Sequence, residues 1–270
     1  MPELLLRATG DRLRLLRQDG GRAPRRTLLG ECALPAQAWH TRDALAQALA
    51  ALCETAATHA GGASRLGVVL PDATARYFMV SAPRNATRLA DCAAAAGQRF
   101  QEIYGEPAQA WQIAADWDAR HAFLACALPR ATLDALRDVA AKRQLQIASV
   151  APYFIAAWNR RHAAIAADAG TQTWFAALDD HCLTLAALAD ARVHAVRSLM
   201  LSPSAAELQD AAWLPRQLER EALRLGLPTP RRLQLCGALP ADSAWRRIAP
   251  ATLQCELLAD GDSDLDGVRP

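Results

Sequence analysis

The fold is decided by the stretch Glu3-Leu-Leu-Leu-Arg-Ala-Thr-Gly-Asp-Arg-Leu-Arg-Leu-Leu-Arg17. Two apolar segments flank Thr9-Gly10-Asp11, and this pattern predicts a β-hairpin at the start of the chain. A third strand is predicted near 27–34, followed by a helix that begins at about Thr41. Leu66–Leu70 is a short, fully apolar strand, typical of a strand buried on both faces of a sheet.

The same order of elements returns in the second part of the chain. Three strands in series are predicted at 173–178, 182–187 and 193–199. A long helix should then begin at Ser202-Pro203, with a second possible cap formed by Ser204 and Glu207 and a kink at Pro215. A strand at 233–236, a short helix at 242–248 and a strand at 252–257 follow. The repeated order predicts an α/β fold built from two similar halves.

Between the two parts lies a compact β-α-β-β unit at about residues 72–128. Its strands are predicted at 76–81, 110–115 and 121–127. Its helix should be capped by Asn85 and should pack through an apolar stripe made of Leu89, Cys92, Ala93, Ala96, Phe100 and Ile103. A helix at 129–144, a buried strand at 145–150 and a helix beginning at Pro152 complete the first part, which Gly170 separates from the second.

The bulk composition indicates a globular protein of ordinary charge. Of 270 residues, 52% are hydrophobic and 21% are charged, and the net charge is +2. These values exclude a largely disordered chain and argue against nucleic-acid binding. The seven cysteines are scattered without a CxxC pair, which favours a reducing compartment over a disulfide framework. Without a signal-peptide pattern or the ~18 apolar residues of a membrane helix, we expect a cytoplasmic protein without direct membrane insertion.

The order of elements and three local segments carry a resemblance to a known family. The segments are Leu66-Gly-Val-Val-Leu-Pro71, Cys126-Ala-Leu-Pro-Arg-Ala-Thr-Leu-Asp-Ala-Leu136 and the helix Pro152–Arg160. The chain resembles the actin-like PilM and GspL cytoplasmic-domain family of type IV pilus and type II secretion assembly proteins, and the inserted unit is similar to the extra subdomain of the FtsA and PilM branch.

This resemblance implies an α/β, actin-like fold, that is, a duplicated ribonuclease-H-like two-lobe fold with an inserted β-α-β-β subdomain. The first lobe would span 1–168 with the insert at 72–128. The second lobe would span 169–258, and 259–270 would form a flexible acidic tail.

The resemblance also locates the loops that hold a nucleotide in such proteins, and all three are weakened here. The first phosphate loop, an Asp-hydrophobic-Gly turn in the family, is Ala8-Thr9-Gly10-Asp11, preceded by Arg7 where a metal-ordering acid would be needed. The second is Asp179-Asp180-His181, which lacks glycine and would repel a phosphate. The adenosine loop, usually Gly-Gly, is Cys236-Gly237-Ala238.

We therefore expect no cofactor, no metal and no catalytic residue. If a nucleotide binds, the residual candidates are Gly10, Asp11, Asp179 and Gly237. The cluster Asp179-Asp180-His181-Cys182 could hold a metal or an activated thiol, but a hairpin turn with the thiol in the core is the simpler interpretation.

Aromatic residues in and around the inserted unit are candidate interface anchors. Trp111, Trp117 and Tyr104 could equally form the core of a small subdomain, which is the favoured interpretation for Trp111, and for Trp117 the two interpretations are balanced. An exposed strand edge on the first lobe could also accept a peptide as an added strand.

The expected function is a non-catalytic scaffold of a pilus or secretion assembly complex, recruited to the inner face of the inner membrane. The resemblance implies a bitopic membrane partner of the PilN or GspM kind, bound through a short cytosolic peptide, with the assembly ATPase as a further candidate partner. Two alternatives stay open: an actin-like ATPase switch, and a sugar-kinase-like enzyme that uses Asp179 or Asp180 as its base.

Overall fold

The computed structural model describes residues 3–19, 25–34, 42–56, 64–84, 86, 88–167, 173–189 and 192–258. Several sequence predictions lie outside these residues: the caps Thr41 and Asn85, the break at Gly170, and the tail 259–270.

Within the described residues, strands and helices follow one another in the order β1 (Glu3–Ala8), β2 (Arg12–Gln18), β3 (Arg26–Ala33), α1 (Arg42–Ala56), β4 (Arg65–Leu70), β5 (Arg76–Val80), α2 (Leu89–Tyr104), β6 (Trp111–Ala115), β7 (Phe123–Pro129), α3 (Arg130–Lys142), β8 (Gln146–Pro152), α4 (Tyr153–Ala167), β9 (Thr173–Asp179), β10 (Cys182–Ala189), β11 (Arg192–Met200), α5 (Trp213–Leu225), β12 (Arg232–Gly237) and β13 (Gln254–Leu258). Short 3-10 helices lie at Asp72–Thr74, Ala108–Ala110, Ala206–Gln209 and Ala244–Arg247.

The chain divides into two compact units. The first unit comprises Met1–Ala75, Gln109–Gln112 and Leu128–Ala156, and the second comprises Arg76–Ala108, Ile113–Ala127 and Ala157–Pro270. Most of the inserted unit therefore belongs with the second half of the chain. The lobe limits expected at 168 and 169 stay a prediction.

The first unit contains a five-stranded sheet of order β3-β2-β1-β4-β8. β2 pairs antiparallel with β1 and β3, and β4 pairs parallel with β1 and β8. Helices α1 and α3 contact each other, and Leu49 and Leu136 from them meet Leu6 and Leu15 of the sheet around a small apolar void of about 10 Å³. The alternating leucines of β1 and β2 thus place one face of the hairpin in the core.

The second unit contains a sheet that repeats this plan, in the order β11-β10-β9-β12-β13. β10 pairs antiparallel with β9 and β11, and β12 pairs parallel with β9 and β13. One sheet face, with Trp174 and Leu178, shares a core with Leu214 and Leu218 of α5 and with Trp245. Because both sheets have the same order and the same antiparallel and parallel pairs, the predicted duplication is confirmed.

A three-stranded sheet has the order β5-β7-β6. The second unit holds β5, residues 113–115 of β6 and residues 123–127 of β7. Helix α2 contacts β5. Phe100 and Tyr104 of α2 meet Phe78 of β5 at ring-centroid distances of 5.8 and 6.2 Å. The Tyr104 hydroxyl donates a hydrogen bond of 2.8 Å to the carbonyl oxygen of Tyr77, so its polar end is satisfied inside the subdomain.

The start of α2 differs from the prediction. The helix begins at Leu89, and Arg88 is its N-cap, with the Arg88 N–H donating to Asp91 Oδ2 at 3.0 Å. Cys92, Ala96 and Phe100 are buried as predicted, but Leu89, Ala93 and Ile103 are exposed. The buried stripe is therefore narrower than predicted. The helix is rich in alanine, so apolar residues lie on all of its faces and do not mark the buried face.

The prediction of a long helix that begins at Ser202-Pro203 is wrong. Glu207 accepts hydrogen bonds from both the N–H and the hydroxyl of Ser202, at 3.0 and 2.7 Å, so Ser202 rather than Ser204 is its partner. A 3-10 helix forms at Ala206–Gln209, and α5 begins only at Trp213. Pro215 then lies in the first turn of α5, where a backbone N–H would have no intrahelical acceptor, so its missing N–H removes no helical hydrogen bond.

Two further differences concern β8. This strand is an edge strand with mostly exposed or half-buried residues, not the buried strand that its apolar sequence predicted. Pro152 ends β8 instead of opening the next helix, and α4 begins at Tyr153. Proline is tolerated there because it lies at the end of an edge strand.

Candidate functional site

The turn between β1 and β2 corresponds to the first phosphate loop of the resemblance. The Asp11 carboxylate is 73% exposed and lies 3.5 Å from Nε of Arg12. The Asp11 carbonyl oxygen accepts from the N–H of Leu34 at 2.6 Å, and the Thr9 N–H donates to the Arg12 carbonyl oxygen. Gly10 does not adopt a positive φ. Asp11 is thus a solvated surface carboxylate beside a guanidinium.

Arg7, just before this turn, is buried. Its guanidinium carbon lies 4.2 Å from the ring centroid of Tyr153, and its Nη1 donates to the Ala8 carbonyl oxygen at 3.3 Å. A metal ion at this turn would need a nearby anion. Arg7 is instead a buried cation stacked on an aromatic ring, and it would repel a metal ion.

The turn between β9 and β10 corresponds to the second phosphate loop. Asp179 and Cys182 pair across the hairpin, and both are buried, with 3% and 1% exposure. Asp180 has a φ of 54°, which aspartate tolerates better than most residues. His181 Nε2 lies 3.6 Å from Asp180 Oδ1. Asp179-Asp180-His181-Cys182 is therefore a hairpin turn with its thiol in the core.

Gly237, which the resemblance places in the adenosine loop, ends β12 beside Leu178 of β9. Its φ is 129°, and a Cβ added there would lie 2.1 Å from the Leu178 carbonyl oxygen. Packing of the sheet alone therefore requires glycine at this position. In the described part of the chain, no three histidine, cysteine or carboxylate side chains converge in a way that could hold a metal ion.

The second unit has a cleft that sequence reasoning did not find. Its volume is about 310 Å³, and its lining includes Asp116, Asp118, Phe123, Trp158 and Arg192. Its residues come from the β6–β7 connection, from α4 and from the start of β11. Asp116 is exposed as a whole residue, but partial burial of its carboxyl group raises its pKa. The sequence placed Asp116 and Asp118 only in the connection between the strands predicted at 110–115 and 121–127.

Asp118 organises one side of this cleft. It accepts from the N–H groups of Arg120 and His121 at 2.8 and 3.3 Å, and its Oδ2 lies 3.0 Å from Nδ1 of His121. Nη1 of Arg192 donates to the same oxygen at 2.8 Å. These bonds, led by that of the Arg120 N–H, hold the pKa of Asp118 far below its usual range. Asp118 thereby ties the β6–β7 connection to β11.

The three aromatic residues of the inserted region have different environments. Trp111 is buried, and Tyr104 packs in the α2 core. Trp117 is half-buried, has a φ of 47°, and lies 6.1 Å from the Phe123 ring by centroid distance. Trp111 and Tyr104 are thus structural, and Trp117 sits in the same connection that lines the cleft.

The described chain has the actin-like fold. A search against solved structures finds the PilM-PilN type IV pilus biogenesis complex, with a TM-score of 0.64 and 16% identity over 95% of this chain and 88% of that chain. The cytoplasmic domain of EpsL, an inner membrane component of the type II secretion system of Vibrio cholerae, gives a TM-score of 0.56 with 12% identity over 97% and 90% of the two chains.

A protein with an actin-like ATPase fold from Bacteroides thetaiotaomicron gives a TM-score of 0.60 with 9% identity over 98% of this chain and 94% of that chain. No protein-family profile and no curated protein sequence matches the chain. Among the described residues, none of the helices has the length and apolar run needed to cross a bilayer. At these identities the comparisons establish the fold alone.

Proposed function

We propose that this protein is a non-catalytic cytoplasmic scaffold of a type IV pilus or type II secretion-like assembly complex, recruited to the inner face of the inner membrane. It docks to a bitopic membrane partner of the PilN or GspM kind through that partner's short cytosolic tail. The assembly ATPase is a second candidate partner.

The observation that carries the proposal is an actin-like fold without competent nucleotide loops. Arg7 places a buried cation beside the first loop, and Asp11 is solvated. Asp179 is buried at a glycine-free turn. Gly237 is required by its contact with Leu178 whether or not a nucleotide binds. Since fold alone does not imply an activity, an actin-like fold whose loops offer little to a phosphate supports a role in binding another protein.

The fold comparisons support the choice of partner. One similar structure is described as a PilM-PilN complex, and another as the cytoplasmic part of an inner membrane secretion component. Both cover most of this chain and most of their own length. Peptide addition to a sheet edge is a common way to capture such a tail, and β8 lies at the edge of the first sheet, paired with β4 alone among the described strands.

A pull-down with the tagged chain from detergent-solubilised bacterial membranes tests the proposal. We expect recovery of a single-span inner membrane assembly protein, whose synthetic cytosolic tail then binds the purified chain in calorimetry. Recovery of no envelope-assembly component, or a recovered partner whose tail does not bind, would contradict it.

A Mg-ATP and Mg-ADP series in thermal unfolding addresses both nucleotide alternatives. A ligand at 100 times its Kd adds about 2.7 kcal/mol to the free energy of unfolding. A higher midpoint with either nucleotide would favour the switch, and turnover lost in Asp179→Ala or Asp180→Ala would favour the enzyme. We expect neither.

A further inference from the structure

The cleft between the β6–β7 connection, α4 and β11 combines an aromatic wall with one more carboxylate than guanidinium group. Of its lining residues, Asp116 and Asp118 are acidic and Arg192 is basic. Since Arg192 is bonded to Asp118, the remaining charge belongs to Asp116 when His162 is counted as neutral. Within the described residues, the Asp116 side chain forms no hydrogen bond or ion pair.

The aromatic wall is held in place from behind. The Trp158 ring packs on Phe175 of β9 at a centroid distance of 5.6 Å, and Phe123 is buried. Trp158 is only half-buried. Its indole N–H has no hydrogen-bond partner in the described part of the chain. Tryptophan is the best aromatic partner for a cation, especially where water is partly excluded.

The side of the cleft formed by α4 carries further polar groups. The Asn159 carbonyl oxygen lies 3.1 Å from Nδ1 of His162. The Asn159 side-chain amide has no partner among the described residues. The Asp116 carboxylate, the Trp158 indole N–H and the Asn159 amide can therefore bind a ligand that has both a cationic group and a peptide backbone.

We propose that this cleft binds a basic side chain, preferably arginine, presented by a peptide segment. The guanidinium would pair with Asp116 and stack on Trp158, and the Asn159 amide would bond the peptide backbone. A volume of about 310 Å³ suits one such side chain with its flanking backbone.

The occupant is the tail of the membrane partner, and this step rests on the proposed function. Cytosolic segments next to membrane spans are enriched in lysine and arginine. A tail captured by this cleft would therefore offer Asp116 a cation to pair with directly, since the hydrogen bond of Arg192 goes to Asp118. Because Asp118 is already satisfied by Arg192 and by backbone N–H groups, Asp116 is the carboxylate that selects the cation.

The test is a nuclear magnetic resonance titration that follows the Trp158 indole and Asn159 side-chain amide signals. The probes are acetyl-Gly-Arg-Gly-amide and the same peptide with neutral citrulline in place of arginine. We expect saturable shifts with arginine and none with citrulline. Asp116→Asn should weaken binding at least roughly tenfold, the loss expected for one charged hydrogen-bonded partner.

Two further variants sharpen the test. Trp158→Phe keeps the packing on Phe175 but should weaken arginine binding, read from the Asn159 amide. Asp134→Asn, which removes an exposed carboxylate of α3 in the first unit, should bind as the parent does. Equal shifts with citrulline, no shift with arginine, or unchanged binding in Asp116→Asn would overturn the proposal.

The pull-down from membranes separates this inference from the proposed function. If a membrane assembly partner is recovered equally by the parent and by Asp116→Asn, and arginine causes no shift, the cleft inference fails while the scaffold stands. If arginine binds through Asp116 but no assembly partner is recovered, the cleft is a basic-peptide site and the scaffold proposal fails.

Discussion

Gly237 offers the sharpest test of whether the weakened loops are structural. Its φ of 129° lies in a region open almost only to glycine. In Gly237→Ala the new methyl group would also lie 2.1 Å from the Leu178 carbonyl oxygen, so backbone must move. Both atoms belong to the pairing of β12 with β9 in the centre of the second sheet.

The expected magnitude follows from the two effects. Backbone strain of this kind costs about 1–3 kcal/mol, and the overlap with a backbone oxygen places the cost at the upper end. Lower entropy of the unfolded chain returns about 0.4–1 kcal/mol. A net loss of about 2–3 kcal/mol lowers Tm by roughly 5–10 °C in a chain of this size.

Circular dichroism during heating, without nucleotide, measures this loss. Gly97→Ala is a matched control: Gly97 lies inside α2, and an added Cβ there meets nothing closer than the Ala108 Cβ at 4.0 Å. It should raise stability by about 0.5–1 kcal/mol. If Gly237→Ala melts with the parent while Gly97→Ala behaves as expected, the structural explanation of Gly237 is refuted.

Three further expectations concern other parts of the chain. Glu221 is buried and bonded to the half-exposed Arg197 and Arg224. Glu221→Gln should lower the free energy of unfolding in urea by about 1–2 kcal/mol, and by no more because water can hydrate the two exposed arginines. An unchanged free energy of unfolding would contradict a stabilising role of these ion pairs. Asp118 has a lowered pKa, so its stabilisation should be complete above the unfolded-state pKa and lost as pH falls through the folded-state pKa. The stability difference between the parent and Asp118→Asn should accordingly shrink in acid, and a constant difference would count against the ion pair with Arg192. Millimolar Mg-ATP should leave Tm unchanged, and a reproducible rise would restore the nucleotide-switch alternative.

The repeated strand order could be predicted from the sequence because its signals are local. Apolar alternation and the turns at Thr9-Gly10-Asp11 and Asp179-Asp180 fix the hairpins. The segment after Ser202 could not be predicted, because its conformation depends on distant residues. The Trp245 indole N–H donates to the Glu207 carbonyl oxygen at 2.8 Å, a partner 38 positions away.

The cleft was also beyond sequence reasoning. Asp118 and Arg192 are 74 positions apart, and no spacing rule relates them. Asp116 and Trp158 each resemble an ordinary surface or core residue when taken alone. Only the packing of α4 and the β6–β7 connection around one space gives them a shared chemistry.

The way the chain passes between the two units limits how this protein can be dissected. The path changes unit after Ala75, Ala108, Gln112, Ala127 and Ala156, so no single cut yields either unit as one continuous fragment. A fragment that starts at 169 would lack β5, which contacts β11, and also the carboxylate that Arg192 binds. Truncation of the gene near this point would therefore give an incomplete second unit in which β11 has lost its contact with β5. A loss of function in such a truncation would indicate misfolding and not the removal of a partner-binding site.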